Sequence, residues 1–368
     1  MSDFDLIVIG AGLMGCASAL RAAEGGMRVA ILERGAIGSG ASGVNAGTLS
    51  LQIKRVGLIP YAMKGHEWWA KAGDAVGFRQ TGGLTLAFNE REAKLLTERM
   101  GLKIAAGAPI ELISSNAALA REPGLTRRIV AASWCPADGF ASSNRTGTYL
   151  RSLLSAAGVA LHEYSPAQNI ERTDRGFTIA TAVGRLGCRR LLLATGAWTK
   201  QVLAMLGLDM PIRVRVNTVA VLERGPRTVG SVIGHATGLL TLKQKSDGTV
   251  LIGGGWQGRG TPATGRGEVV ADTLLNNLRL ARFVVPGLAS FRLLRSWTGF
   301  EANVPDFTPL AGALPGIPDA YVLTCVRGGY TIGPYIGRLM GDLILGREPE
   351  MKLFDPGRFA NAAVAASD

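Results

Sequence analysis

Three glycines and one acid carry the clearest chemical signal in this sequence. Gly10, Gly12 and Gly15 are spaced as G-x-G-x-x-G, and Glu33 follows eighteen residues after the last of them. Such a turn suits a dinucleotide. Gly10 permits the tight bend, Gly12 lets the backbone approach a pyrophosphate, and Gly15 lets helix and strand pack closely. The start of the helix that follows offers free N–H groups and its positive dipole end to the phosphates. Glu33 is placed to accept hydrogen bonds from adenosine ribose hydroxyls, and its charge repels a 2′-phosphate.

The surrounding elements must hold these residues in place, and they occur in the required order. Asp5–Ile9 is a short apolar run of the kind that forms a buried parallel strand. Cys16–Glu24 continues the turn as an alanine-rich helix ended by Gly25-Gly26, and Arg28–Leu32 is a second apolar strand that stops at Glu33. With 50 glycines in the chain the spacing alone arises by chance. The strand, turn, helix, strand and acid together make a dinucleotide site the expectation. The next segment, Gly38 to Leu49, is too rich in glycine and small residues for a regular element. Its expected job is to cross a bound cofactor closely, using backbone N–H groups and the side chains of Ser42 and Asn45.

Composition narrows the chemistry. The 368 residues suit one large domain or two intertwined ones, with 47% hydrophobic and 18% charged residues as in a soluble globular protein. Asp3 and Asp5 stand where the basic region of a signal peptide would be, and no apolar run reaches bilayer length, so the cytoplasm is the expected location. Cys16, Cys135, Cys188 and Cys325 form no C-x-x-C pair, and His66, His162 and His235 form no metal-binding pair. No metal is expected, and a cofactor must carry the hard chemistry. The net charge of +12 is spread along the chain without a basic run of five or more. That pattern is compatible with acidic substrates, an acidic partner or RNA, and by itself selects none of them.

The run Gly40-Ala-Ser42-Gly43-Val-Asn45-Ala46-Gly47-Thr48-Leu49, placed shortly after the glycine turn, resembles the D-amino-acid oxidase family of FAD enzymes. Three further segments resemble the same family in the same order. They are Glu111-Leu-Ile to Arg121-Glu-Pro-Gly-Leu125, Leu191-Leu-Leu-Ala-Thr195-Gly196-Ala-Trp198, and Trp297-Thr-Gly-Phe to Pro305-Asp306-Phe-Thr-Pro309-Leu-Ala-Gly312. The resemblance implies a Rossmann-like FAD-binding domain interleaved with a substrate domain built on an antiparallel sheet. It implies cofactor contacts at Gly10, Gly12, Leu13, Met14, Gly15, Glu33, Arg34, Ser42, Asn45, Ala46, Gly47, Leu49, Ala167, Thr195, Gly196 and Trp198. The Arg327-Gly328-Gly329-Tyr330-Thr331-Ile332 run stands where the family usually carries G-H-G beside the flavin ring. There Arg327 is a candidate for positive charge, and Tyr330 and Trp256 for substrate contact. Arg259 and Arg266, in a later loop, are candidates to pair with a substrate carboxylate.

The remaining segments fit two interleaved domains. Leu58–Ala72 has helical spacing with Trp68 and Trp69 as packing groups, Asn89 caps a helix running through Met100, and residues 146–157 form another. Arg213–Leu222, Gly238–Gln244 and Thr249–Gly254 read as successive strands with an Asp247-Gly248 hairpin turn. The expected division is 1–77, 136–211 and 298–368 for the FAD domain, and 78–135 and 212–297 for the substrate domain.

The resemblance implies hydride transfer from the carbon beside an amine to the flavin, giving an imine that hydrolyses. This needs orientation and electrostatics more than a side-chain base, in keeping with the few histidines. The forms of residues 40–45 and 327–334 resemble the catalytic β-type subunits of hetero-oligomeric sarcosine oxidase, opine oxidase and hydroxyproline dehydrogenase. A small secondary-amine, cyclic or D-amino acid, or an opine, is the expected substrate, with partner subunits taking the electrons and membrane association open through a partner. No cysteine lies between Glu301 and Asp306 to tether a flavin, and no lysine lies at Gly253–Trp256, so non-covalent FAD and a dehydrogenase are expected. Two rival readings are a tRNA-modifying FAD oxidase domain and a non-catalytic, FAD-bearing subunit.

Overall fold

The computed structural model describes residues 3–182 and 184–359. The chain forms two compact units, one of residues 1–43, 144–215 and 300–368, the other of residues 44–143 and 216–299. Residues 44–77 and 136–143 thus fall in the second unit rather than with the glycine turn. The strands Thr48–Leu49 and Arg79–Gln80 each pair with Gly139–Phe140 between them, and so bind these stretches together.

The first unit is a mixed sheet of eight strands. Phe4–Ile9 lies in its middle, parallel to Val29–Leu32 on one side and to Gly184–Leu193 on the other. Val29–Leu32 is followed by Ala160–His162, also parallel. Gly184–Leu193 pairs in parallel with Ala320–Thr324 and antiparallel with Gly176–Thr181. Leu6 to Val8 and Ala30 to Ile31 are wholly buried, which is why these strands read as continuous apolar runs.

Two helices of this unit run side by side, Leu13–Glu24 and Gly329–Ile344. Three glycines four residues apart allow the approach. A Cβ on Gly333 would lie 3.1 Å from Leu13 Cδ2, one on Gly337 2.6 Å from Ala17 Cβ, and one on Gly341 2.5 Å from Arg21 Cβ. The pairing order is parallel, so both helices present their N-termini at the same end. Arg21 Nε–H donates to Asp342 Oδ1 at 2.7 Å near the other end.

The second unit holds another eight-stranded sheet. Its order is Leu293–Asn303, Arg213–Arg224, Thr249–Gly253, Thr241–Gln244, Val232–His235, Gly83–Ala87, Ala131–Cys135 and Glu111–Ile113. The recorded pairings are antiparallel except one, Val232–His235 beside Gly83–Ala87, which is parallel. The Asp247-Gly248 hairpin is present, with Gly248 at φ +85° and the Thr249 N–H bonded to Asp247 Oδ1 at 3.0 Å. Helix Ile59–Ala72 buries Trp69 fully, and its ring meets Trp68 edge-on at 5.0 Å. Helix Glu90–Ala105 starts where Asn89 Oδ1 accepts the Glu92 N–H at 2.9 Å. All four cysteines are buried and free.

A buried polar cluster fixes the start of this unit. Asp138, wholly buried, accepts Ser50 Oγ–H at 2.5 Å, Leu51 N–H at 2.8 Å and Gln52 Nε2–H at 3.1 Å. Burial pushes its carboxyl above the usual range, against these hydrogen bonds. Among the described residues no helix is long and apolar enough to cross a membrane.

Candidate dinucleotide site

The glycine turn has the geometry its sequence implies. Gly10 sits at φ +111°, and a Cβ there would lie 2.4 Å from Ala194 O. A Cβ on Gly15 would lie 2.1 Å from Gly10 O, so helix and turn touch backbone to backbone. At Gly12 the nearest atom to such a Cβ is Ser42 Oγ at 3.5 Å, which leaves the ligand-facing side of the turn open. Ser42 Oγ in turn accepts the Leu13 N–H at 3.0 Å. Among the described residues no side chain caps the N–H groups of Met14 and Gly15, the donors a phosphate would take.

Glu33 is tied into the same turn. It is nearly buried, and Oε2 accepts the Ala11 N–H while Oε1 accepts the Gly35 N–H, both at 2.8 Å. Each oxygen keeps lone-pair capacity for a ribose hydroxyl. The neighbouring Arg34 guanidinium lies 4.2 Å from the centre of the Trp198 ring, which meets Phe300 edge-on at 5.8 Å. Thr195 and Gly196 open a short turn after the strand Gly184–Leu193, with Gly196 at φ +53°. A web of hydroxyls fixes this turn: Thr199 Oγ1 and Thr324 Oγ1 both donate to Gly196 O, at 2.8 and 3.2 Å. Ala167 packs half-buried against the sheet core.

The C-terminal loop joins this unit's site through its helix. Cys325 adopts φ +58° and Gly328 φ +70°, two left-handed residues bracketing Val326 and Arg327. The helix begins at Gly329, near the Met14 side chain, and Gly333 one turn later meets Leu13 and Met14 at the start of the first helix. Two positive helix ends therefore sit together, an anion-favouring feature that the motifs alone do not reveal. Its sequence signal is the Gly329, Gly333, Gly337, Gly341 spacing. Thr331 and Ile332 are wholly buried. Tyr330 is also buried, and its hydroxyl shares a hydrogen bond with Thr146 Oγ1 at 2.9 Å. Burial holds that phenol well above its ordinary range. Arg327 is exposed, with its guanidinium 5.5 Å from the Phe307 ring centre.

The other sequence-derived candidates lie in the second unit. Asn45 Oδ1 accepts the Gly47 N–H at 2.7 Å, and a Cβ on Gly47 would lie 2.1 Å from Ala141 O. Ala46 is half-buried, and Leu49 is buried opposite Gly139. Trp256 donates its indole N–H to Leu239 O at 2.7 Å. Arg259 and Arg266 are exposed on a two-stranded ribbon, where Arg266 pairs with Thr261.

Two of the motifs that carry the family resemblance have structural explanations. Glu122 is buried and accepts the Gly230 N–H at 3.0 Å and the Ser231 N–H at 2.6 Å, anchoring that loop. Trp297 donates its indole N–H to Val44 O at 2.9 Å, and a Cβ on Gly299 would lie 2.6 Å from Val44 Cγ2. The W-x-G pattern thereby holds the segment that leads into Asn45. Asp306 accepts Arg358 Nε–H at 2.9 Å and the Thr308 N–H at 2.8 Å.

Comparison with known proteins decides the family. Residues 5–343 match the profile of the FAD dependent oxidoreductase family, DAO. The chain belongs to that family. It is 28% identical over 363 residues to a glycine oxidase of Geobacillus kaustophilus, covering 95% of each chain. It is 25% identical over 376 residues to an opine oxidase subunit of Agrobacterium tumefaciens, covering 98% of each. The beta subunit of a sarcosine oxidase of Rhizobium meliloti is 26% identical over 366 residues, covering 94% of this chain and 86% of that one. Among solved structures, L-proline dehydrogenase from P. horikoshii shares the fold with a TM-score of 0.90 at 24% identity, covering 97% of this chain and 98% of that one.

This DAO-family chain is an FAD-dependent oxidoreductase of amino-acid and amine donors with a Rossmann-like FAD-binding fold. The residues present fit the cofactor. The open side of Gly12, the Met14 and Gly15 N–H groups and the adjoining helix start suit its pyrophosphate, and Glu33 suits its ribose. Among the described residues no cluster of side chains could hold a metal ion.

Proposed function

We propose that the chain oxidises a small secondary-amine, cyclic or D-amino acid, or an opine, as the catalytic subunit of a multi-subunit dehydrogenase. The observation that carries this reading is the join of the 325–332 loop to two helix N-termini. Two positive helix ends beside an exposed Arg327 support a site for the negative charge that a cofactor gains on reduction. The similarity to proteins named as subunits of opine oxidase and sarcosine oxidase supports the subunit role.

Bound FAD supplies the acceptor for the substrate's hydride. The protein's residues have distinct tasks. In the first unit, Met14 and Gly15 offer backbone N–H groups to the pyrophosphate beside Gly12, Glu33 orients the ribose, and Arg327 offers positive charge. In the second unit, Arg259 and Arg266 are candidates to pair with a substrate carboxylate, and Trp256 for an apolar contact. The substrate amine must be neutral, so that its lone pair forms the C=N bond as the α-hydrogen leaves with the bonding pair. Water then hydrolyses the imine. No side chain need take a proton from carbon, which agrees with the chain's few histidines.

The test is an anaerobic absorbance titration of the FAD-loaded protein with a panel of N-alkyl, cyclic and D-amino acids and opines. Bleaching by one compound identifies the substrate class. Admitting air then separates dehydrogenase from oxidase, since slow reoxidation marks a dehydrogenase. Failure of every compound, with and without co-expressed partner subunits, sinks the reading in favour of a non-catalytic flavin subunit. Acid precipitation should leave the flavin in the supernatant, as a non-covalent cofactor requires.

A further inference from the structure

A cleft of 710 Å³ lies wholly within the second unit, and the proposed reaction makes no use of it. Arg121, Arg227, Trp134 and Phe291 line it, together with Glu122 and Gly230. Both arginines are exposed, and the two aromatic rings are half-buried. Among the described residues neither guanidinium pairs with a carboxylate. Arg121 lies 5.3 Å from the centre of the Trp134 ring, and its Nη1 donates to Ala117 O at 3.4 Å. Glu122 is the single acid of the lining, and it is committed to the backbone. Each of its oxygens accepts the Gly230 N–H at 3.0 Å, and Oε1 also accepts the Ser231 N–H at 2.6 Å.

The walls are set before any ligand arrives. Gln244 Oε1 accepts the Thr228 N–H at 2.7 Å while its Nε2 donates to Pro226 O at 2.9 Å, so Gln244 and Glu122 tie down both ends of the 226–231 loop. The side chains that face a ligand are seated against glycines. A Cβ on Gly82 would lie 2.0 Å from Trp134 Cη2, one on Gly225 2.4 Å from Phe291 Cε1, and one on Gly230 2.7 Å from Arg227 Nη2. Ordering the loop and the rings in advance lowers the entropy cost of binding.

We propose that this cleft binds a small organic acid with a flat apolar body. A guanidinium matches a carboxylate with two parallel N–H groups, and Arg121 and Arg227 have no internal carboxylate to occupy them. The indole of Trp134 and the ring of Phe291 offer apolar faces to the rest of such a molecule. No cation besides these two arginines lines the cleft, so it answers one or two carboxylates and not a polyanion. The proposal depends neither on the substrate nor on the subunit role.

The test is isothermal titration calorimetry of the FAD-loaded protein with phenylacetate and indole-3-acetate, against phenylacetamide and inorganic phosphate. Wild type should bind at least one of the two acids with one-to-one stoichiometry, more weakly in about 0.5 M salt because the arginines are exposed. Phenylacetamide, which lacks the charge, and phosphate, which lacks the apolar body, should each bind at least about tenfold more weakly. Arg121→Gln and Arg227→Gln should each weaken the acid by about fivefold or more, and Arg279→Gln, remote in sequence on the helix Ala271–Val284, by less than twofold. Both arginines are exposed, so these variants should keep the wild-type denaturation midpoint. No heat from either acid up to about 10 mM overturns the proposal. So does an affinity that both Arg121→Gln and Arg227→Gln leave within twofold of wild type. Binding that shifts the flavin absorbance and ignores both variants places the acid at the flavin, and overturns it too.

Discussion

Glu33 Oε2 accepts the Ala11 N–H at 2.8 Å, so the acid that ends the second strand is hydrogen-bonded into the glycine turn. The carboxylate proposed for the ribose thus also fixes the geometry of the turn. Glu33→Ala leaves the Ala11 and Gly35 N–H groups without their acceptor. A charged hydrogen bond lost at a buried site is worth about 1.5–3 kcal/mol. FAD affinity, read by fluorescence titration of the apoprotein, should fall by roughly one to two orders of magnitude. An unchanged affinity would mean that Glu33 serves only the turn.

The parallel helix pair should be intolerant of side chains. At Gly337 a Cβ would meet Ala17 Cβ at 2.6 Å and Met14 O at 2.7 Å. Gly337→Leu should destabilise the fold by on the order of 1–3 kcal/mol or more, seen as a lower denaturation midpoint. Because Met14 belongs to the turn proposed to hold the pyrophosphate, FAD affinity should fall with it. Gly346→Ala, where a Cβ has open space but φ is +75°, should cost stability without affecting FAD.

Tyr330 offers a clear separation of structural from chemical roles. Its hydroxyl is engaged with Thr146 Oγ1 at 2.9 Å in the interior. Tyr330→Phe and Thr146→Val should each cost about 1 kcal/mol of stability, and KM for the amine identified by titration should change by less than about threefold. A much larger KM change in Tyr330→Phe alone would show that the hydroxyl leaves Thr146 to meet substrate.

Two buried lysines set the sign of the pH dependence of stability just above neutral pH. Burial lowers Lys243 to about 7 and Lys103 to about 8, against 10.5 for both in an unfolded chain. Between those values the unfolded state binds more protons, so stability rises with pH. The penalty is fully present below about pH 7 and gone above about 10.5. Urea denaturation midpoints from about pH 7 to 8.5 should therefore climb for wild type and climb less for Lys243→Met, before the four buried cysteines, whose thiols burial pushes up, turn the trend downward near pH 9. A midpoint independent of pH in wild type would show that an unseen partner answers the charge.

The sequence by itself determined the elements that chemistry or local propensity dictates. Gly10, Gly12, Gly15 and Glu33 announced a dinucleotide turn because Gly10 and Gly15 answer backbone demands that no other residue meets, and Gly12 leaves its side of the turn open. The Asp247-Gly248 hairpin, the Asn89 cap and the buried central strands were equally legible, since each depends on neighbours within a few residues. Resemblance supplied the family, but not the reasons for its motifs. That Glu122 anchors a loop and that Trp297 grips Val44 O needs the three-dimensional fold, because their partners lie 108 or more residues away.

Tertiary structure alone decided the rest. The division of the chain placed Asn45 to Leu49 in the second unit, because Leu49 pairs with Gly139 across a small sheet that no local pattern announces. It paired two strands in parallel inside a sheet expected to be antiparallel. It aligned two helix N-termini through glycines that lie far along the chain from the residues they meet, and it buried Lys243 in a strand whose sequence looks half polar. Burial and long-range approach are properties of the packed chain. Residue types and spacing record them only where a glycine or a charge has no other use.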